Sequence, residues 1–463
     1  MSSPNPPRPA GARYFHPDYG LMVQRLADAV AEAGPLAVDG DGRFWSYGAG
    51  VWSQDQREVN RRIVRELGER YRPQHQRATE AVLRVGLPAI EVAPVSGYIN
   101  LRNGMLRWDA NGGPVLLEHH AEYYSTVQLP IEWNPDATCA PFERFMGDAV
   151  PPDDHQRVWE ILGYLMMSGN PLQRMFLLVG GGGNGKGVLL HVIKHLLGRS
   201  NTSAVPLHEF AESQFATAEL FGKLANICGD IDATYIEHTG RIKEMCGEDE
   251  MKGERKFGQP FYFQYWGKAL FSANGIPGAA DSSRGWLRRW EVVRFPYEPQ
   301  RPDRRLKDSL ADVECLQGIA VKAVEALRGL MERGSFDHGY SASESHRQFA
   351  ARSNLVLAWI DDECELDPAQ GTWYERGALL DIFRRWHKRE SPSAREIARS
   401  TFYERLEQVP GVVARKIRGA RGYRGLKLRS EIIQPSDSDD DSAPDEGGRF
   451  TQNGLWPAET EIK

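Results

Sequence analysis

A glycine-rich loop followed by a single lysine is the feature that most constrains what this chain can fold into. The loop spans residues 180–185, and only Asn184 within it carries a side chain. Glycine backbones can curve closely around phosphate oxygens because they lack a Cβ atom. Lys186 follows the loop and would bring a positive charge to the β- and γ-phosphates of a nucleotide. The alternative is a glycine-rich turn that binds no nucleotide.

The segments on either side of the loop have the periodicities of a buried strand and a helix. Residues 175–179 form a continuous apolar run, which is typical of a parallel strand buried on both faces. Apolar residues after the loop recur at helical spacing, so the positive end of a helix dipole would face the phosphates. The order strand, loop, lysine and helix predicts an ATP site contacted by Gly180, Gly181, Gly182, Gly183, Asn184, Gly185, Lys186, Gly187 and Val188.

The residue after the lysine departs from the usual phosphate-loop pattern. The pattern G-x-x-x-x-G-K-[ST] ends in serine or threonine, whose hydroxyl binds Mg²⁺. This chain has Gly187 at that position. We therefore expect Mg²⁺ to be held mainly by the nucleotide's phosphates, by water and by one carboxylate, that of Asp230.

Polar side chains follow the next two predicted strands. The first strand lies within residues 222–229 and is followed by Asp230 and Asp232. Asp230 would hold Mg²⁺ through water, and Asp232 would orient or activate the attacking water. The second strand, residues 268–273, is followed by Asn274, which would hydrogen-bond the γ-phosphate or its water. Acidic residues are common at strand ends, so the prediction depends on their position after the loop.

An arginine pair follows these strands along the chain. Arg288 and Arg289 precede another predicted strand, residues 291–295. A guanidinium at this place could act on the nucleotide of a neighbouring subunit as an arginine finger. For either arginine alone, ion pairing at the surface is the alternative.

Two further basic segments predict contact with nucleic acid. Arg255, Lys256 and Phe257 lie beside a turn in a predicted hairpin, and a cation next to a ring suits a single strand. The alternative there is a solvated charged hairpin. Near the C-terminus, three predicted helices precede a basic hairpin, which is the pattern of a winged-helix module. Its predicted DNA contacts are Arg415, Lys416, Arg418, Arg421 and Arg424.

Composition limits the remaining possibilities. The chain has 463 residues and a net charge of -6, but its charge is unevenly distributed. Residues 384–429 hold fourteen basic and four acidic residues, whereas residues 431–463 hold nine acidic and two basic ones. No apolar run reaches the roughly 18 residues of a membrane span. The five cysteines are scattered without a C-x-x-C, which argues against a zinc site or a disulfide framework and favours a reducing compartment.

These features divide the chain into six predicted segments. They are a disordered start (1–12), an α+β domain (13–154), a P-loop ATPase domain (155–300), a helical connector (301–347), a winged-helix domain (348–431) and an acidic disordered tail (432–463). The predicted fold class is α/β.

The motifs together resemble the superfamily 3 helicases of phages, plasmids and large DNA viruses, particularly the poxvirus-type primase-helicase group. Residues 47–52, 99–104 and 137–142 look like the domain that precedes the ATPase in that group. Asp230 and Asp232 match its acidic motif, Asn274 its sensor asparagine, and residues 288–289 its arginine-finger position. Residues 254–257 are similar to the DNA-gripping hairpin of papilloma- and polyomavirus helicases.

The resemblance implies an AAA+-like core assembled as a homohexameric ring that unwinds DNA with ATP and Mg²⁺. The N-terminal domain would form or support a collar, and the winged helix would bind DNA or a replication partner. Expected partners are single-stranded and forked DNA and a separate primase or polymerase, since no fused primase is expected. The expected location is the cytoplasm of the host cell. The alternative is an ATP-regulated DNA-binding replication initiator or regulator that does not unwind DNA.

Overall fold

The computed structural model describes residues 11–429, except 110, 232–235, 237–238, 248, 257, 278, 280, 282, 299–302, 304, 338–354, 368, 370 and 391–395. Two predicted site residues, Asp232 and Phe257, lie outside the described residues. The predicted acidic tail and most of the predicted disordered start also lie outside them. A short 3-10 helix, Ala12–Tyr14, begins the described chain.

The N-terminal region combines helices with small antiparallel sheets. Its helices are α1 (Val23–Glu32), α2 (Gln56–Leu67), α3 (Pro73–Gly86) and α4 (Ala140–Ala149). A two-stranded sheet pairs β1 (Phe15–His16) with β2 (Gly20–Leu21). Two three-stranded sheets follow, formed by β3 (Leu36–Val38), β4 (Phe44–Gly48) and β5 (Val51–Gln54), and by β6 (Tyr98–Leu101), β7 (Gly104–Arg107) and β8 (Val115–Leu117).

Asn103-Gly104 between apolar residues is a sequence signal for a hairpin turn, and a hairpin is present, but its turn lies one residue earlier. Leu101 pairs with Gly104, so the turn consists of Arg102 and Asn103. The Asn103 side chain is committed elsewhere: its Oδ1 accepts the Trp133 N–H at 2.8 Å and its Nδ2 donates to the Trp133 carbonyl at 3.0 Å. The side chain thus holds a later segment against the hairpin.

A five-stranded parallel sheet forms the centre of the protein. The helices from residue 155 onward are α5 (His155–Met166), α6 (Lys186–Leu197), α7 (Leu207–Glu212), α8 (Gln214–Ala218), α9 (Gly240–Gly247) and α10 (Arg284–Leu287). The strands are β9 (Met175–Val179), β10 (Thr202–Ser203), β11 (Ala225–Cys228), β12 (Glu250–Gly253), β13 (Phe261–Gln264), β14 (Lys268–Ala273) and β15 (Trp290–Arg294).

The order of strands within this sheet places β9 between two later strands. The order is β10-β11-β14-β9-β15, and β12 and β13 form a separate antiparallel hairpin. All neighbours in the large sheet are parallel. The chain after β9 leads to β10 at one edge, whereas β15 lies on the other side of β9. The predicted α/β fold class is confirmed.

The predicted connector helix is two helices rather than one. They are α11 (Leu306–Leu310) and α12 (Val313–Arg333). The Asp312 carboxylate accepts the Glu314 N–H at 3.2 Å and so caps the start of α12. The long helix α12 packs against α5, and α11 packs against α6.

A disulfide joins the N-terminal region to α12, so the expectation of no disulfide is wrong. Cys139 and Cys315 are bonded with their Cα atoms 4.8 Å apart, although 176 residues separate them in sequence. They meet because α12 packs tightly on the backbone before α4; a Cβ at Gly318 would overlap the Thr138 backbone. Such a contact depends on tertiary packing, and cysteine spacing alone does not reveal it.

The C-terminal module packs three helices against short antiparallel sheets. Its elements are α13 (Leu355–Glu363), β16 (Cys364–Leu366), β17 (Trp373–Glu375), α14 (Arg376–Glu390), α15 (Arg399–Glu407), β18 (Val413–Ile417), β19 (Ala420–Arg424) and β20 (Leu426–Leu428). The predicted basic hairpin is formed by β18 and β19, and its turn consists of Arg418 and Gly419, both with positive φ. Arg421 therefore lies in a strand, where it pairs with Lys416.

Candidate nucleotide-binding site

The glycine-rich loop joins β9 to α6 and leaves part of its backbone open. Gly183 and Gly185 have φ angles of 77° and 96°, a region that favours glycine. A Cβ added at Gly182 or Gly183 would meet no heavy atom within 4 Å. The backbone at these two positions therefore faces open space, which an anion can occupy.

Tight packing holds the base of the loop in place. A Cβ at Gly180 would overlap the Asn184 side chain and the Phe295 carbonyl. Asn184 is buried, and its Nδ2 donates to the Phe295 carbonyl at 2.6 Å. Asn184 was predicted to contact the nucleotide, but its side chain braces the loop against the segment after β15. Phe145 of α4 also packs against Gly185.

Lys186 is the cation that belongs to the loop. Its Nζ donates to the carbonyl oxygens of Gly180 and Gly181, the latter at 2.6 Å, and to Asn184 Oδ1 at 3.2 Å. Burial lowers the pKa of Lys186, and the negative charge of Asp230 opposes this shift. An anion bound beside the ammonium would favour its charged form further. Lys186 is thus folded onto the loop.

Asp230 leaves β11 in an unusual backbone conformation. Its φ is 50°, which is uncommon for residues other than glycine, although aspartate tolerates it better than most. The Asp230 N–H donates to Ser272 Oγ at 3.1 Å, and the Ile231 N–H donates to the Ser272 carbonyl at 2.9 Å. Ser272 on β14 therefore fixes the backbone at Asp230, and the exposed Asp230 side chain lies at this edge. Sequence reasoning missed Ser272, since nothing local marks it.

Asn274 lies beside the loop because β14 and β9 are neighbours. The Gly180 N–H donates to the Ala273 carbonyl at 3.2 Å, and the exposed Asn274 comes next. Lys186, Asp230 and Asn274 thus meet at the carboxyl edge of the sheet. Ligands of open α/β sheets bind at that edge where the strand order reverses.

A second ammonium lies close to Gly187. Lys307 Nζ of α11 is 3.8 Å from the position that a Cβ at Gly187 would occupy. Its charge also contributes to lowering the pKa of His191, a shift caused mainly by burial. Lys307 thus faces the position where the usual pattern has a metal-binding hydroxyl. The sequence did not suggest Lys307, because it is 120 positions away.

Arg288 and Arg289 lie at the opposite, amino edge of the sheet. Met175, the first residue of β9, pairs with Trp290, and its N–H donates to the Arg289 carbonyl at 2.6 Å. Five strand residues separate this edge from the loop, roughly 16 Å at the usual rise. Within one chain, the arginine pair is therefore not brought to Lys186.

The two arginines also differ from each other. Arg288 is exposed, and its Nη2 donates to Gln173 Oε1 at 2.9 Å. Arg289 is half-buried, and its Nη1 donates to the Gly285 carbonyl. The Arg289 charge also opposes the large rise that burial causes in the pKa of the Cys246 thiol. Arg288 can reach another molecule, whereas Arg289 is engaged within its own domain.

The predicted DNA hairpin is formed by β12 and β13. Arg255 and Lys256 are exposed beyond β12, and the Arg255 guanidinium carbon lies 5.3 Å from the centroid of the Phe261 ring. These two residues line a groove of about 520 Å³ together with Phe215, whose side chain is 54% exposed. Phe215 was not predicted. The groove's two cations and exposed ring suit stacked bases, and the carboxylates Glu219 and Glu254 also line it.

The predicted basic residues of the C-terminal module lie on β18, β19 and their turn. Arg415, Lys416, Arg418 and Arg421 are exposed. Arg424 is half-buried, and its Nε is buried without a hydrogen-bond partner among the residues described. Four of the five predicted contacts are thus available at the surface.

Comparison with known families supports part of this picture. Residues 23–151 match a family described as "D5 N terminal like", and residues 178–289 match a family of unknown function (DUF5906). Domains of the first kind are associated with primase-helicases in phage and viral replication. The match therefore supports the phage-type primase-helicase relationship that the motifs predicted. No curated protein matches the chain.

Solved structures resemble the chain only distantly. One is "The A form apo structure of NrS-1 C terminal region-CTR", with 10% identity, a TM-score of 0.47, and coverage of 86% of this chain and 97% of that one. Another, of residues 305-718 of the same region, has 11% identity, a TM-score of 0.48, and coverage of 87% and 99%. Likeness at this level carries no argument about function. In the part of the chain described, no helix is both long and apolar enough to cross a membrane.

Proposed function

We propose that this protein is an ATP-dependent replicative DNA helicase of the superfamily 3 type, encoded by a phage or another mobile element and acting as a hexameric ring. The observation that carries the proposal is the carboxyl edge of the parallel sheet. An open glycine backbone, a buried lysine, an exposed carboxylate on a fixed backbone and an exposed asparagine converge there from three different strands.

These residues suit the hydrolysis of ATP. The backbone at Gly182 and Gly183 would bind phosphate oxygens, and Lys186 would stabilise charge that develops on the transferred phosphoryl group. Asn274 would orient the γ-phosphate or the attacking water. The outcome for Asp232 stays a prediction, because it lies outside the described residues.

The residues at this edge fit a Mg²⁺ ion bound together with the nucleotide. Among the described residues, no group of three or more His, Cys, Asp or Glu side chains could hold a metal without a substrate. Mg²⁺ commonly needs only one or two carboxylates besides phosphates and water, and Asp230 would supply one. Bound there, the ion would neutralise charge on the β- and γ-phosphates.

The hairpin groove suits single-stranded DNA. Replacing Lys256 by alanine should lower strand displacement far more than it lowers ATP turnover, since the hairpin is separate from the glycine loop. Phe257→Ala should act in the same way, with stacking worth roughly 1–3 kcal/mol per base. Glu250→Ala, on β12 of the same hairpin, is the matched control. Equal unwinding by the wild type and both hairpin variants would mean that this hairpin is only a solvated surface feature.

One alternative is a replication initiator or regulator whose nucleotide drives assembly without unwinding. The exposed cations on β18, β19 and their turn favour it, because they can bind duplex DNA. A helicase and an initiator would both hydrolyse ATP. A strand-release assay on a forked duplex with one labelled strand distinguishes the two functions. ATP-dependent strand release supports the helicase. ATP turnover and duplex binding without strand release would establish the initiator instead.

A further inference from the structure

The C-terminal module contains a small pocket with an excess of positive charge. It has a volume of about 300 Å³ and lies between the start of α14, the end of α15 and the β18–β19 hairpin. We call it the C-terminal pocket; the side chains that matter for its chemistry are Arg376, Glu407, Arg415, Lys416, Arg421 and Tyr423. Four of these are cations and one is a carboxylate.

The single carboxylate already has a partner. Glu407 Oε1 accepts the Tyr423 hydroxyl hydrogen bond at 2.8 Å. Burial raises the pKa of Tyr423, and the bond to Glu407 raises it further, so the hydroxyl stays protonated and remains the donor. The hydrogen-bond partner of the Glu407 carboxylate is therefore a neutral hydroxyl. The pocket has four cations against this one carboxylate, so its net charge is positive.

Arg376 is held rigidly within this pocket. Its guanidinium carbon stacks 3.6 Å from the centroid of the Tyr403 ring, and the Tyr403 hydroxyl donates to the Arg376 carbonyl at 3.0 Å. Arg376 Nε is buried and has no hydrogen-bond partner among the described residues. A stacked guanidinium presents its N–H groups as a fixed fork, which matches the spacing of phosphate oxygens.

We propose that the C-terminal pocket binds a phosphate group, with Arg376 as its rigid ligand and Arg415, Lys416 and Arg421 as the surrounding cations. Arg376 lies apart from the predicted basic hairpin in sequence and was not predicted to bind anything. The proposal does not depend on the ATP site. The phosphate can belong to a nucleic-acid backbone, to a strand end or to the free ion, and these share one recognition chemistry.

The test uses the full chain and three probes. The probes are inorganic phosphate and a short labelled oligothymidylate with or without a terminal phosphate, each titrated by fluorescence anisotropy or competition. Arg376→Gln should weaken binding of at least one probe by about 10- to 100-fold, the value of charged hydrogen bonds. Arg376→Lys should recover only part of this loss, because lysine lacks the fork.

The probe that responds identifies the source of the phosphate. Binding of inorganic phosphate at least as tight as that of either oligothymidylate indicates the free ion. Tighter binding of the oligothymidylate that carries a terminal phosphate indicates a strand end, and equal binding of the two oligothymidylates, tighter than that of inorganic phosphate, indicates a backbone phosphate. Arg385→Gln is the matched control, since Arg385 is exposed on the same helix and does not line the pocket.

A second variant protects the test against misfolding. If thermal unfolding shows that Arg376→Gln is not folded, Arg421→Gln serves in its place, because Arg421 is exposed on β19. Binding of all three probes with wild-type affinity by the folded pocket variants, as by Arg385→Gln, would overturn the proposal.

Discussion

The two edges of the parallel sheet differ in what they bring together. At the carboxyl edge, Lys186, Asp230 and Asn274 meet around an open glycine backbone. Carbonyl oxygens of its own loop hold Lys186, whereas hydrogen bonds to a neighbouring strand hold the backbone at Asp230 and just before Asn274. At the amino edge, Arg288 is exposed and donates a hydrogen bond to the Gln173 side chain. In our proposal, the carboxyl edge binds and hydrolyses ATP, and Arg288 at the amino edge serves as the arginine finger.

Under the proposed function, neither edge is complete within one chain. The length of β9 separates them, roughly 16 Å, which exceeds the reach of an arginine side chain. If Arg288 acts on a nucleotide, that nucleotide belongs to another subunit. The finger predicted from the sequence as Arg289 or Arg288 is therefore assigned to Arg288 in our proposal, since Arg289 is engaged inside its own domain.

The largest expected effect comes from the carboxyl edge. Lys186→Ala should abolish ATP turnover while the protein remains folded, because it removes the loop's own positive charge from the developing transition state. Steady-state phosphate release and a thermal unfolding curve measure the two quantities. Lys194→Ala, further along the same helix, is the control. Normal ATP turnover by Lys186→Ala would contradict the assignment of the glycine-rich loop as the site of ATP hydrolysis.

The amino edge should give the next largest effect. Arg288→Ala should lower turnover by roughly 10³- to 10⁵-fold while nucleotide binding is kept, as expected of an arginine finger. Turnover is measured by phosphate release and binding with a fluorescent ATP analogue. A variant that binds nucleotide poorly would place Arg288 in ground-state binding instead.

Arg289→Ala is the matched control for this comparison. Its loss removes an internal hydrogen bond from a half-buried guanidinium, so we expect a loss of about 1.5–3 kcal/mol in the free energy of unfolding. Its turnover, measured below the Tm of the variant, should fall less than that of Arg288→Ala. If Arg289→Ala is as stable as the wild type but does not turn over ATP, Arg289 and not Arg288 is the arginine finger.

The basic residues on β18, β19 and their turn should affect DNA affinity without affecting either edge of the parallel sheet. Replacing Arg415, Lys416, Arg418, Arg421 and Arg424 together should reduce the log-log salt slope of duplex binding by about 3–4, because about four of them are free to reach phosphates. Filter binding across a salt series gives the slope. An unchanged slope would assign this surface to protein contacts.

The smallest effect is expected at Gly187. A serine there fits, because the closest atom to its Cβ would be Lys307 Nζ at 3.8 Å, an ordinary contact. Gly187→Ser should therefore be tolerated, or should lower the Mg²⁺ concentration that gives half-maximal turnover. A Mg²⁺ titration of turnover measures this concentration. Loss of activity would mean that a hydroxyl is excluded here and that the loop binds phosphate in another geometry.

The sequence predicted the features that local patterns encode. The strand β9, the glycine loop and α6 follow from apolar periodicity and a run of glycines, and these are properties of neighbouring residues. The sequence also placed Asp230 and Asn274 at the ends of strands that the structure brings to the same edge.

Features that depend on distant packing were not predictable. The role of Ser272 follows from the hydrogen bonds that β14 makes to the segment after β11. The contrast between Arg288 and Arg289 depends on burial beside α9 and α10. The Cys139–Cys315 bond, Lys307 beside Gly187 and Arg376 in its pocket all join residues far apart in sequence.

A mixing experiment tests most directly whether the two edges complete each other. Lys186→Ala lacks the loop cation and Arg288→Ala lacks the finger, so each alone should turn over little ATP. In a mixed ring, some interfaces pair an intact loop with an intact finger. Mixing the two single variants should therefore recover part of the wild-type ATP turnover. A variant that carries both substitutions in one chain should show no such recovery. If the single variants exchange subunits, as shown by energy transfer between labelled chains, and turnover does not recover, the shared site is contradicted.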